Sequence, residues 1–374
     1  MRKKLEILTP AVFCLFLAAM ALLLFLAEDT DYSQREKRYL AQKPEVSTSS
    51  VLDGSCQSAL EKWVEDQFPL RDTFVAVNSY WMLGTGRNGL QNTYFAKDGY
   101  LIKKPAASDL TAFSAALERF DHFAANTGIP ASLVMVPEHG WLQAERLPVT
   151  AENYADDACF ETAETILENV RVLDFREALL QADKENPVCY RTDHHLTAWG
   201  NYQLYRAWCE SQGLEAREMQ DYEIEEISDF YGTAWSGSGY WLTKPDTVQL
   251  WDNGAAVTVT ITDGGEEPVA SESVFYRDHL QELDKYPVYL DGNHCQVEIS
   301  NPRSDGGTLL IIKDSYAHCF TPFLTEHYSK IIMLDLRFYR GSISDFAVQN
   351  EVDELLYFYG TSTLLTDTNS AWLF

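Results

Sequence analysis

The chain is predicted to fold as an α/β protein. Its central sheet is parallel and covered by helices on both faces, it carries a β-rich insertion, and one N-terminal transmembrane helix precedes it. Three observations predict this. Short, nearly continuous apolar runs at 131–136, 308–312 and 330–334 alternate with longer amphipathic stretches, and a strand apolar on both sides belongs in a sheet buried on both faces. The rhythm breaks over 222–298, where Thr, Val, Gly and Asp dominate. Finally, Ile7 to Ala27 holds no charged residue, long enough to cross a hydrocarbon core as a helix.

Each element follows in order. Arg2, Lys3 and Lys4 precede the apolar run, while Glu28, Asp29 and Asp31 follow it. The positive-inside rule then makes 1–28 a cytoplasmic tip with a membrane anchor and exports the rest. Phe25-Leu26-Ala27 is a poor small-x-small cleavage site, which favours an uncleaved signal anchor over a removed leader. Residues 29–58 are polar, with Pro44 and a serine-rich run at 47–50, and read as an extracytoplasmic tether. A single domain is expected over 59–374, with the insertion at about 222–298 inside it. Leu60, Trp63, Val64 and Phe68 return at helical spacing until Pro69 breaks it. Lys97-Asp98-Gly99 between two apolar triplets signals a hairpin, because Asp-Gly tolerates positive φ. Helices are expected at 108–126, 160–170, 198–212 with Gly213 as C-cap, and 317–326. Strands are expected at 131–136, 171–175, 308–312, 330–334 and 354–359.

Composition narrows the function. The 374 residues are 46% hydrophobic and 13% aromatic, a globular and not a disordered balance. A net charge of −27 argues against nucleic acid and anionic lipid as partners. Seven cysteines include no CxxC pair, which argues against a zinc knuckle or a thioredoxin-like motif. Free thiols and disulfides both remain open.

Two stretches carry chemistry. Arg191-Thr192-Asp193-His194-His195 sets an acid beside two imidazoles, and a far downstream apolar run ends in Lys313-Asp314-Ser315-Tyr316. A serine on a strand-to-helix turn sits at the carboxyl edge of a sheet, where sites form, and helix N-terminal amides there favour negative charge. The competing role for Ser315 is a plain helix N-cap. Serine needs a base within hydrogen-bond reach. In extended chain Asp193 and His195 share a side while His194 faces away, which makes His195 the base, Asp193 its orienter and His194 structural or a supporting donor. The loop Ser236-Gly237-Ser238-Gly239 competes but lacks the strand-elbow context. A metal site would draw on Asp193, His194, His195, His318 and His327. No HxH or HxxxH with an acid is present, so neither a metal nor another cofactor is expected.

With these pieces in view, the chain resembles the DHHW-motif protein family and is similar to alginate O-acetyltransferases of the AlgX/AlgJ type. The residues that carry the resemblance are 35–40, 65–69 with Arg71-Asp72, Val136-Pro137, Thr192-Asp193-His194-His195, Tyr231-Gly232-Thr233 and Lys313-Asp314-Ser315-Tyr316. The resemblance implies an SGNH-hydrolase-like three-layer fold and a Ser-His-Asp site at Ser315, His195 and Asp193. The motif's Trp is Leu196 here, with Trp199 one helical turn on as a substitute. Tyr316, Arg191, His194 and Trp199 are the expected substrate contacts. The expected function is extracytoplasmic O-acetyl transfer, or ester hydrolysis, on a cell-surface polysaccharide. The donor would be handed over by a membrane protein. The alternative is a non-catalytic carbohydrate-binding or assembly protein of the cell envelope, with Trp235, Tyr240 and Trp241 as a sugar platform.

Overall fold

The computed structural model describes residues 2–90, 92–106 and 110–373. They form two compact units, one of residues up to 90 together with Ser236–Trp241, the other of the remainder.

The first unit begins with helix α1 (Arg2–Leu26). Among the described residues it is the one helix long and apolar enough to cross a membrane, over Leu8–Leu26. The stretch 29–58, expected as a tether, is not free chain. Asp29 accepts from the Trp63 indole at 2.9 Å and from the Lys43 amide at 2.8 Å, and Arg38 forks onto Asp66. Its polar residues are thus paired with α2 (Ser55–Gln67), which buries Trp63. Beyond Pro69 follows a helix the sequence reading omitted, α3 (Arg71–Gly84). Its Ser79 hydroxyl donates to the Ser238 carbonyl at 3.1 Å. A Cβ on Gly239 would lie 2.4 Å from that hydroxyl, so the glycine of this Ser-Gly loop serves close packing.

The second unit holds the sheet. Its strands are β1 (Ala131–Val136), β2 (Val170–Leu173), β3 (Thr258–Thr262), β4 (Val269–Ser271), β5 (Gln296–Ser300), β6 (Thr308–Lys313), β7 (Lys330–Leu334) and β8 (Glu354–Gly360). The order is β4-β3-β5-β7-β6-β8-β1-β2. The five strands from β7 to β2 are parallel, as predicted. The insertion departs from expectation by joining the sheet, since β5 pairs antiparallel with β7 and β3 and β4 continue beyond it. Residues 223–230 and 246–252 of the insertion pair with each other instead.

Alternation along each parallel strand explains the layers. Val134, Val136, Ile311 and Phe358 face one core, which includes Leu204 and Trp208 of α6 (Ala198–Gln212) and Phe320 of α7 (Ala317–Leu324). Leu133, Met135, Leu310 and Tyr357 face the other, with α4 (Leu110–Thr127) and α5 (Asp156–Ile166). A sheet buried on both faces needs strands apolar at every position, the pattern read from the sequence. α6 keeps its predicted limits, with Thr197 capping through Gly200 and Gly213 closing it at φ 68°. The hairpin also stands, with Tyr94 opposite Ile102 and positive φ at Asp98 and Gly99. The helix expected at 108–126 begins at Leu110, and residues 108 and 109 lie outside the described residues. All seven cysteines are free thiols.

Candidate active site

Ser315 sits directly beyond β6, on the turn that leads into α7. The turn is held by Asp314, whose two oxygens accept from the Tyr316 amide and from the Gly360 amide at the end of β8, each at 2.9 Å. Burial pushes the Asp314 carboxyl above its ordinary value. Ser315 is not the N-cap of α7. That place falls to Tyr316, with no side-chain cap bond. The Ser315 hydroxyl instead meets His195 Nε2 at 2.8 Å.

His195 reaches that point through a tight loop. Asp193 Oδ1 accepts from the His195 backbone N–H at 3.0 Å and also bonds the ring nitrogen Nδ1. Asp193 is fully buried. Its second oxygen accepts from the Thr233 amide at 2.5 Å and the Thr233 hydroxyl at 2.9 Å. The loop itself hangs on a half-buried carboxylate, Asp246, which takes the amides of Arg191 and Thr192 at 2.8 and 2.7 Å and the Thr192 hydroxyl at 2.6 Å. The arrangement is therefore hydroxyl, imidazole, carboxylate, with the carboxylate fixed by further donors. It can move a proton from oxygen to nitrogen and stabilise the imidazolium that results.

Tyr286, from the insertion, lies flat on the His195 ring, with centroids 3.8 Å apart and planes 9° from parallel. Its hydroxyl donates to the Ser315 carbonyl at 3.2 Å. Tyr316 donates to the His194 carbonyl at 3.0 Å and sets its ring edge-on to His195.

His194 departs from the strand-based expectation. The chain bends at Asp193 instead of running extended, so the two imidazoles are neighbours with centroids 3.9 Å apart. The Thr233 hydroxyl donates to Asp193 and so accepts from His194 Nδ1, 2.7 Å away. Burial and the adjacent His195 hold His194 well below the usual imidazole range. Asp193, His194 and His195 are close enough to hold an ion among the described residues. Their facing atoms are already engaged by Ser315, by Thr233 and by one another, and the Lys103 ammonium stands 3.4 Å from His194 Nδ1. His318 accepts from the buried Lys313 ammonium at 2.7 Å, and His327 pairs with the Tyr205 hydroxyl at 2.8 Å. The structure does not bring these two into that group.

The expected substrate contacts divide. His194 and Tyr316 line a cavity of about 300 Å³ together with Lys103, Glu138, His139 and Thr363. Arg191 and Trp199 line a different one of about 370 Å³. There the Arg191 guanidinium lies over the Tyr100 ring, and the Trp199 indole donates to the Ala182 carbonyl at 3.2 Å. A larger cavity of about 960 Å³ opens at the starts of β1, β2 and β8, the sheet edge opposite Ser315, and holds none of the expected residues. Sequence reasoning missed Thr233, Asp246, Tyr286, Glu138 and His139. Of these, only Thr233 carried a signal, within Tyr231-Gly232-Thr233.

The comparisons bear on the fold and on the class of reaction. The DHHW protein family matches residues 164–334. The matched stretch is similar to that family and includes Asp193, His194, His195 and Ser315. An overlapping match over 92–229 is to the SGNH hydrolase-like domain of the acetyltransferase AlgX, which supports an acyl-transfer enzyme at the level of the family. No curated protein matches the chain. Among solved structures, a DHHW family protein from Eubacterium siraeum is 22% identical with a TM-score of 0.64, covering 76% of this chain and 97% of its own. PatB1 from Bacillus cereus, solved with a sulfonyl adduct, is 17% identical with the same score, covering 75% and 99%. Both share the fold over about three quarters of this chain.

Proposed function

We propose that the chain is an extracytoplasmic enzyme, anchored by α1, that moves acetyl groups on a cell-surface polysaccharide. One observation carries the reading above the others: the 2.8 Å approach of the Ser315 hydroxyl to His195 Nε2. In this reading Ser315 Oγ attacks the acetyl carbonyl as its proton passes to His195. Asp193 holds the ring and its charge. The oxyanion that forms needs hydrogen-bond donors beside Ser315 at the carboxyl edge of the sheet. The imidazolium then gives its proton to the leaving oxygen, and acetyl-Ser315 remains. A sugar hydroxyl next attacks, passes its proton to His195, and departs as the acetyl ester while Ser315 regains a proton. Water in that step gives hydrolysis instead. The AlgX-type match supports transfer as the reaction class.

The carbohydrate-platform alternative loses its main support, because Tyr240 is fully buried and Trp235 is 4% exposed. The enzyme reading is tested by turnover of a phenyl acetate ester by the full-length chain in detergent. Ser315→Ala and His195→Ala should each lower the rate by several orders of magnitude. Wild-type turnover no faster than that of both variants would overturn it.

A further inference from the structure

The carboxyl ends of β6, β8 and β1, adjacent in the sheet, converge on the cavity of about 300 Å³ beside the candidate triad. Tyr316 enters it from the turn after β6, Ser362 and Thr363 from the short helix after β8, and Glu138 and His139 from the segment after β1. In open α/β sheets such an edge is where ligands sit, and the volume is at the small end of ligand sites.

The walls hold polar groups the fold does not use. Glu138 and His139 are 6% and 4% exposed. Glu138 Oε1 has no hydrogen-bond partner among the described residues, and neither ring nitrogen of His139 makes one of ordinary geometry. The Asp193 carboxylate acts electrostatically on the His139 ring, so this wall adjoins the candidate triad. Native proteins rarely leave such atoms unpaired without cause. Burial, reinforced by Asp156, pushes the Glu138 carboxyl up to about 7, and burial pushes the His139 imidazole down to about 4. Near neutral pH the wall thus presents an uncharged imidazole and a carboxyl shared between its protonated and charged forms, beside serine and threonine hydroxyls and Lys103 and Lys104. Such a set suits a ligand that donates and accepts at several points.

We infer that this cavity is the acceptor subsite, taking one hydroxyl-rich pyranose unit with Glu138 and His139 bonding its hydroxyls. The inference rests on the acetyl-transfer reading and deepens it. In the step it serves, the bond between the acetyl carbon and Ser315 Oγ breaks, a bond to the sugar oxygen forms, and the sugar's proton passes through His195 to Ser315.

The test acetylates the full-length chain in detergent with p-nitrophenyl acetate and follows loss of acetyl-Ser315 as methyl glucoside or methyl N-acetylglucosaminide is added. Rates are expressed per Ser315 reactive toward a fluorophosphonate, so a misfolded variant does not count. A pyranoside should speed deacetylation with saturation, which glycerol at equal hydroxyl concentration should not. Glu138→Leu and His139→Leu should raise the half-saturating pyranoside concentration at least tenfold, and Ser362→Leu, which fills the cavity, should remove saturation. Saturation by neither pyranoside, or saturation untouched by all three variants, overturns the subsite and leaves the triad standing. Failure of Ser315 to acetylate at all overturns the enzyme reading instead.

Discussion

At the scale of single residues, the candidate chemistry depends on buried groups with little freedom. Asp193 bonds the His195 ring and two Thr233 donors at once. Asp193→Asn puts an amide where two of those donors point, so the imidazole loses its orienter. A fall in kcat of about 10⁴ is expected. Stability should fall as well, by about 1–3 kcal/mol, because the lost acceptor is buried. Assays on phenyl acetate paired with thermal melts read both. Tyr286 separates stacking from hydrogen bonding. Tyr286→Phe keeps the ring on His195 and should cost about 1 kcal/mol of stability with activity largely retained. Tyr286→Ala removes the clamp and should lower kcat far more. Equal activities in the two variants would refute the clamp. Glu138 makes a pH prediction. Its carboxyl titrates near 7 when folded against an ordinary 4.5, so the folded state holds the proton more tightly. The stabilising contribution is whole below pH 4.5 and is lost as pH rises toward 7, on the order of 3 kcal/mol in all. Glu138→Gln should therefore melt above wild type at pH 8 and beside it at pH 4. The same gap at both pH values would contradict the assignment.

At the scale of elements, the strands and helices of the sheet were legible because their patterns are local. β7 keeps its predicted limits, and α6 closes at the predicted Gly213. The Arg176–Ala182 helix was not seen, as so few residues barely show a helical period. His194 was misplaced because strand alternation was applied to a loop closed by its own aspartate. Asp246, Tyr286 and Glu138 could not be read as site residues, since each meets the site only through long-range folding. A polar composition over 29–58 likewise does not reveal that Asp29 and Arg38 have partners in α2. Gly232 ties element geometry to the site. A Cβ there would fall 2.2 Å from Asp193 Cβ, so the turn before Thr233 can approach the carboxylate only without a side chain. Gly232→Ala should cost about 1–3 kcal/mol and reduce ester turnover at least tenfold, even though residue 232 bears no reactive group. Unchanged turnover would show that the approach is not needed.

At the scale of the whole molecule, the proposed topology puts both the site and the acidic surface outside the cell. The apolar span Leu8–Leu26 and the basic residues before it support this orientation. Protease added to intact cells stripped of their wall should degrade everything beyond the anchor, whereas full protection would reverse the topology. An exported enzyme has no access to cytoplasmic acyl donors, so the orientation also bears on how the acetyl group arrives. The most direct test of the central claim is to treat the full-length chain with a serine-directed fluorophosphonate and map the modified residue by mass spectrometry. The account predicts a single adduct on Ser315, absent in Ser315→Ala and slow to form in His195→Ala. A folded chain that takes no adduct, or one modified at another serine such as Ser238, would contradict it.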